Sequence, residues 1–461
     1  MQAKHEKQDD GTSRDSARGS RFIDGPEHEA KDTYPMYNGS NNDIEKVQRQ
    51  PHLASSMSDE QDTNLVTWDG PEDPANPKNW TSNRKWAALL IVSMFNFISP
   101  VASAMIAPAL TSLAQDLNIE SSLEKSSSLS IFVLGYAIGP LFLGPLSELY
   151  GRTSVLQLAN LEFLLFNLVA GFAKTKAQLI VFRFLAGLGG SAPQGVGGGV
   201  LSDLFTADER GRALSMYSLA PLLGPAIGPI AGGFIVEYLN WRWTFYVSSM
   251  ADVAVLILGL AFLRESYGPI LLNRKKKRLI QQTGNVKLHT EFDDSERGTA
   301  KTICTALIRP FRLLFTQPII QLLAVYLAYL YGIMYLVLSS FSLLWTSGKY
   351  YSQPVGTSSL HYIAMACGLL IGAYICAPGQ DKIYARFKHR NDGVGRPEFR
   401  VPLMIPSAFV VPVGLFIYGW TAEYRTFWIG PDIGVAIYSL GTMSSTHMPG
   451  TLPPDWLQSQ Y

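Results

Sequence analysis

From residue 86 onward, apolar side chains come in long blocks and not in the two-residue alternation of half-buried strands. The blocks fall near 86–112, 127–147, 153–173, 177–201, 213–236 and 243–263, then near 319–341, 359–378, 401–420 and 430–445, and predict about ten helices. The first nine approach the roughly 20 residues that cross about 30 Å of hydrocarbon, and the tenth is short. In lipid every backbone donor and acceptor must be satisfied internally. That excludes open sheets, and the blocks are too long for barrel strands. The pattern predicts an all-α integral membrane bundle. Ahead of it, residues 1–85 mix Asp, Glu, Ser, Gly and Asn with few aliphatics and no sustained period, which predicts a disordered tail.

Charge divides the chain further. Residues 1–85 hold 27 of the 75 charged side chains and 264–318 hold 16, leaving 32 for the other 321 residues. Soluble domains average about one charge in four. The charged island at 264–318 separates six spans (86–263) from four (319–445) and predicts a cytoplasmic central loop. With the N-terminus inside, inner loops carry 20 Lys and Arg against six outside, a positive-inside bias that places the N-terminus in the cytoplasm. Arg274-Lys275-Lys276-Lys277-Arg278 in the central loop reads either as a contact for anionic headgroups or as topogenic charge alone. A net charge of +1 without a basic stripe gives no support for nucleic-acid binding. Cys304, Cys367 and Cys376 make neither a disulfide framework nor a zinc site. No apolar leader is visible at the N-terminus, so the first span is expected to direct insertion. The sequons at Asn38 and Asn79 fall on the cytoplasmic side and are expected to stay unmodified.

Several motifs carry candidate chemistry. Gly144-Pro-Leu-Ser-Glu148-Leu-Tyr-Gly151-Arg152 follows the second span; two glycines flanking a sharp turn suggest positive φ or close backbone approach, and the acid and base can latch helix ends. Arg183 lies within the fourth span. An intramembrane Arg costs roughly 3 kcal/mol or more, so it faces a cavity or a partner. Gly187-Leu-Gly189-Gly-Ser-Ala192 with Asp208 downstream mimics a dinucleotide fingerprint, but no βαβ unit surrounds it, and small residues in a spanning helix suit close packing. Gly224, Gly228 and Gly232 line one helix face, and Pro225 and Pro229 interrupt its hydrogen bonding, a combination suited to a pivot or a tight contact. Glu162 and Asp252 are buried acids, either proton carriers or hydrogen-bonded structural groups. Tyr326, Tyr329, Tyr331 and Tyr335, with Asn96 and Tyr136, form a candidate lining for flat amphipathic molecules or an aromatic packing face.

Together these segments resemble the major facilitator superfamily over about 73–445. Its motif A is matched by Gly144 to Arg152, with Glu148 in place of the commoner Asp. Its Arg-containing motif is matched by Arg183 to Gly187. Its antiporter motif is matched by Gly224, Gly228, Pro229, Gly232 and Gly233, with Ser215 where the upstream Gly stands. Asn76-Pro-Lys-Asn-Trp80, Asn240-Trp-Arg-Trp243, Arg264-Glu-Ser-Tyr267 and Arg396 to Pro402 resemble fungal twelve-span drug:proton antiporters. The resemblance implies two helical bundles built from inverted repeats and proton-driven export of small amphipathic compounds, drugs or toxic metabolites. It assigns proton coupling to Arg183 and an inner-face charge relay to Glu148, Arg152 and Asp203. It implies a monomer in the plasma membrane, with a small molecule and protons as partners, the lipid bilayer as surroundings, no cofactor or metal and no enzymatic activity.

The chain departs from the family after Ser445, where Pro449, Pro453 and Pro454 follow within a few residues and no apolar block remains. The second bundle is therefore expected to be incomplete, with about four helices over 319–445 and an irregular tail over 446–461. Polyamine export, which would favour acidic residues in the cavity, and a non-transporting fragment or membrane sensor are the competing readings.

Overall fold

The computed structural model describes residue 62, residues 64–293, 299–391, 399, 402 and 404–446, and the contacts below lie within the unit that begins at Asn64. The sequon at Asn38, residues 447–461 and the side chains of Cys304, Cys376 and Asp208 lie outside the described residues. Among the described residues no strand forms, and the one isolated bridge joins Leu65 to His289. The first half contains α1 (Ser82–Met105), α2 (Leu110–Asp116), α3 (Ser122–Tyr150), α4 (Arg152–Ala170), α5 (Lys176–Gly190), α6 (Ala192–Leu204), α7 (Ala207–Tyr238) and α8 (Arg242–Phe262). The connecting segment, expected as a loop, contains α9 (Gly268–Thr283) and α10 (Thr299–Thr316). The second half contains α11 (Pro318–Thr346), α12 (Val355–Ser359), α13 (Tyr362–Arg390), α14 (Met404–Glu423) and α15 (Ile429–Thr446).

Eight stretches of the described residues are long and apolar enough to cross a bilayer, against the ten expected. The expected fourth span is divided at Ser191 into α5 and α6, and Pro193 opens α6, where the first helical turn has no use for a backbone donor. The tenth, α15, has 18 residues and carries Asp432 and a run of Ser and Thr, which lower its hydropathy.

α1 is the buried axis of the first half. α7 lies on it through the Gly224, Gly228 and Gly232 face. A Cβ on Gly228 would stand 2.5 Å from the Val101 carbonyl oxygen and 3.1 Å from Ala104 Cβ, and one on Gly232 would run into the Met105 carbonyl. Between helices in lipid this close backbone approach replaces the hydrophobic drive available in water. α7 runs unbroken through Pro221, Pro225 and Pro229. α4 and α8 meet along a polar seam. Asn160 Nδ2 donates to both oxygens of the fully buried Asp252 at 3.2 Å, Asn167 Nδ2 donates to Ser248 and Ser249 at 2.9 Å, and Gln157 Nε2 donates to the Gly259 carbonyl at 3.0 Å. Glu162 of α4 is half-buried beside Gly189 of α5. The second half closes on Leu338, Phe341, Trp345, Tyr362, Val435 and Tyr438.

The expectation of a disordered tail through residue 85 is corrected from Asn64 onward. Val66 N–H donates to His289 O at 2.7 Å and His289 N–H to Asn64 O at 3.0 Å. Lys275 Nζ reaches Asp69 at 2.5 Å and the Thr67 carbonyl at 2.9 Å. Asp73 accepts the N–H groups of Asp69 at 2.9 Å and Ala75 at 2.8 Å, and Asn79 donates to the carbonyls of Pro71 and Asp73. Trp80 is buried, with the Arg84 guanidinium 3.7 Å above its ring. Residues 64–80 thus form a strap held by groups about 200 positions away, which no local period can announce.

Two outcomes follow from this packing. Gly228→Leu forces a side chain into the α1 backbone and should cost about 1–3 kcal/mol; a thermal midpoint equal to that of the parent protein in detergent would reject the close contact. The Asp69 and Ala75 N–H groups hold Asp73 below its ordinary value by favouring the charged form. That contribution is present at neutral pH and is lost as pH falls through the depressed value. Amide protection over 64–80 should therefore drop only in acid, whereas Asp73→Asn should lower it at neutral pH; unchanged protection in the variant would sink the anchor role.

Candidate transport cavity and charge relay

A cavity of about 660 Å³ lies between the halves. α3 contributes Leu129, Phe132, Tyr136 and Pro140, α7 contributes Pro221 and Pro225, α11 contributes Leu327, Tyr331 and Tyr335, and Pro100 of α1 and Gln194 of α6 complete the wall. None of the lining residues is Asp, Glu, Lys, Arg or His. Such a surface binds an uncharged body by apolar contact and orients it by a few hydroxyls and one amide.

The sequence-predicted cavity residues divide. Tyr136 is on the wall, its ring stacked near Phe132 at a centroid distance of 6.0 Å. Tyr331 and Tyr335 are there as well. Tyr329 is not among the lining residues and is 57% exposed: on α11 it falls on another face from Tyr331 and Tyr335, which a helix separates from it by two and six positions. Tyr326 is half-buried and also off the wall. Asn96 is fully buried within the first half and is not among the lining residues, and its amide finds no hydrogen-bond partner among the described residues. Neither Glu162 nor Asp252 reaches the cavity.

Arg183 stands behind the wall and not in the cavity. It is 1% exposed, and its Nη2 donates to the carbonyls of Ser103 and Leu129, both at 3.2 Å. The rings of Phe132 and Phe245 flank its guanidinium at 5.5 and 5.9 Å. No carboxylate pairs with it among the described residues. The Ser103 hydroxyl, in turn, meets the Tyr335 hydroxyl at 2.9 Å. Ser103 is therefore a junction: its carbonyl is held by Arg183 and its hydroxyl by a cavity residue of the second half.

The charged residues expected to form a relay meet at the α3–α4 turn. Gly151 has φ +101°, a conformation that favours glycine, and a Cβ there would collide with the Glu265 carboxylate. Gly144 needs no such freedom. It lies within helical α3, and a Cβ would make only an ordinary contact with the Gly195 carbonyl at 3.9 Å, correcting the expectation that two glycines shape the turn. Arg152 lies 3.6 Å from Glu148 and 3.5 Å from Asp203, donates to Ser147 Oγ at 2.8 Å, and stands 4.7 Å from the Tyr267 ring centroid. Glu265, just beyond α8, accepts the N–H groups of Arg152 at 2.9 Å and Thr153 at 3.3 Å, so a carboxylate caps the positive end of α4. Sequence reading attached Glu265 to a family signature but gave it no role.

At the opposite end of the helices the halves touch. Gly233 abuts Ser359 and the Val355 carbonyl, and Glu237 of α7 accepts the Gly356 N–H. Nearby in the second half, His361 Nδ1 lies 2.7 Å from Asp432 and Nε2 lies 3.1 Å from Gln353 Oε1, with the ring parallel to Trp345 at 3.6 Å. Nothing in the sequence joins residues 353, 361 and 432, so this cluster was not foreseen.

Comparison with known proteins agrees with the architecture. The fold is similar to the E. coli xylose transporter XylE in a partially occluded inward-open conformation (TM-score 0.56, 16% identity, 79% of this chain and 83% of that one). It is also similar to a bacterial homolog of the human lysosomal transporter Spinster (TM-score 0.54, 14% identity, 82% and 77%). An uncharacterized transporter of Schizosaccharomyces pombe is 45% identical over 401 residues, covering 87% of this chain and 81% of that protein. The efflux pump vrtL of Penicillium aethiopicum is 47% identical over 385 residues, covering 84% and 76%. The Major Facilitator Superfamily model matches residues 92–453, and the chain is a multi-pass membrane transporter of that superfamily.

Proposed function

We propose that the protein exports small, uncharged, apolar or aromatic molecules in exchange for protons. The observation that carries this reading is the cavity wall, which combines aliphatic and tyrosine side chains with no charge. A polyamine carries several cations and would need carboxylates in contact with it; the two acids expected inside the first half, Glu162 and Asp252, lie at helix–helix contacts and not on the wall. The similarity to proteins described as efflux pumps supports the outward direction.

The proposed coupling runs through Arg183. Its guanidinium fixes the Ser103 carbonyl, and Ser103 holds Tyr335 on the wall. A substrate that displaces the Tyr335 hydroxyl disturbs the environment of a buried cation, and a change of charge near that cation moves Tyr335. The Gly224–Gly232 face gives α7 a smooth surface against α1. The Glu148–Arg152–Asp203 relay, capped by Glu265, locks the other end. We take the Gly151 end as cytoplasmic, on the distribution of Lys and Arg, with the N-terminus on that side, and the protein as a plasma-membrane monomer acting without a cofactor.

Purified protein in liposomes, oriented with the Gly151 end outward, should accumulate a neutral aromatic dye when the lumen is acidic. Dissipating the pH gradient should abolish the accumulation, and a polyamine should not compete. Accumulation indifferent to the gradient, or blocked by spermidine, would contradict the reading. Arg183→Ala should lower gradient-driven flux by about tenfold or more, the scale of an interaction worth ~1.4 kcal/mol. Arg183→Lys should also fall well short, because an ammonium lacks the planar fork of donors. Full flux in either variant would remove Arg183 from the coupling.

A further inference from the structure

We propose that α10 lies in the membrane interface and that Arg309 and Arg312 hold the phosphate of an anionic phospholipid headgroup. α10 ends at Thr316, and the single residue Gln317, with an extended backbone (φ −105°, ψ 108°), separates it from the start of α11 at Pro318. The helix is thereby tied to the point where α11 enters the bilayer. Its middle turn packs on α3, where Phe311 meets Phe142 at a centroid distance of 5.6 Å. Phe142 lies eight residues before Tyr150, the last residue of α3. At 1.5 Å per residue that is about 12 Å in from the helix end, within reach of acyl chains.

The side chains fit that depth. Ile308 and Phe315, seven residues apart on the stripe that includes Phe311, are 54% and 74% exposed. Arg309 and Arg312 are exposed, three residues apart on one side, and have no ion pair or hydrogen bond from the side chain among the described residues. α10 contains no Asp or Glu to neutralise them. An amphipathic helix with this division buries its apolar stripe at the acyl boundary and lets its arginines extend to the phosphates, where the planar guanidinium can bind in a bidentate manner.

The more basic run on α9 is a weaker site than its composition suggests. Lys275 is engaged by Asp69 and the Thr67 carbonyl, and Lys276 by Asp293 at 2.7 Å, so two of its five cations hold the strap and the linker. Arg274, Lys277 and Arg278 stay exposed and provide an internal control. The lipid contact does not depend on the proposed export; only the assignment of the leaflet rests on the cytoplasmic reading of the Gly151 end.

The test uses the full chain in nanodiscs of phosphatidylcholine, with and without phosphatidylserine. Phosphatidylserine should raise the thermal midpoint, and native mass spectrometry should show it retained in preference to phosphatidylcholine. R309Q/R312Q should lose most of both effects, whereas R274Q/K277Q/R278Q should keep them. Inorganic phosphate added to phosphatidylcholine discs should not reproduce the shift. Should the double variant fail to fold, R309Q and R312Q singly should each reduce the retention. Full retention in the Arg309 and Arg312 variants, equal shifts with the two lipids, loss confined to the α9 variant, or an equivalent shift with inorganic phosphate would each overturn the proposal.

Discussion

Inside a bilayer a polar group has no water to fall back on, and its partner must come from the protein. This constraint explains the helices, which satisfy their own backbones. It also explains where the side-chain polarity sits. Asp252 is buried completely but meets the Asn160 amide, and Asn167 is shared between two serines. Arg183 has no carboxylate among the described residues, so two backbone carbonyls and two aromatic rings receive it. The cation is stable there only while α1, α3 and α8 keep their places, which makes it a reporter of the packing of the first half.

That dependence gives Ser103 its importance. A backbone carbonyl cannot turn independently of its helix, so fixing the Ser103 oxygen fixes the local position of α1. The hydroxyl of the same residue contacts Tyr335, from the other half. The glycine face of α7 brings a second backbone against α1 within a few residues of that junction. Helix–helix contact and cavity wall are thus parts of one local structure, and a change at either is felt by the other.

The two ends of the molecule use different means. At the Gly151 end, charged groups converge on one turn, and Glu265 reaches it from beyond α8 to cap α4. The strap of residues 64–80 and α9 cover the same side through ion pairs and backbone hydrogen bonds. At the other end, Glu237 meets a backbone N–H of the second half, and His361, Asp432, Gln353 and Trp345 tie together the ends of three helices. α10 stands apart from both groups, and its Arg309 and Arg312 side chains have no ion pair or hydrogen bond among the described residues.

The hydrophobic blocks, their lengths and the distribution of charge determined helical, membrane-spanning structure, because local spacing and transfer into lipid depend only on the chain itself. The every-fourth-residue spacing of Gly224, Gly228 and Gly232 determined a smooth face, although not that α1 would cover it. The pairing of Arg152 with Glu148 was legible because only one sharp turn separates the two along the chain; its pairing with Asp203 rested on family resemblance. Tertiary structure decided the rest. Rotation of α11 put Tyr331 and Tyr335 on the cavity and turned Tyr329 away. Packing placed Arg183 behind the wall, gave Glu265 its cap and joined His361 to Asp432. It also ordered a polar segment that composition alone marked as a tail. Each of these depends on groups tens to hundreds of positions apart meeting in space, and neither periodicity nor composition carries that information.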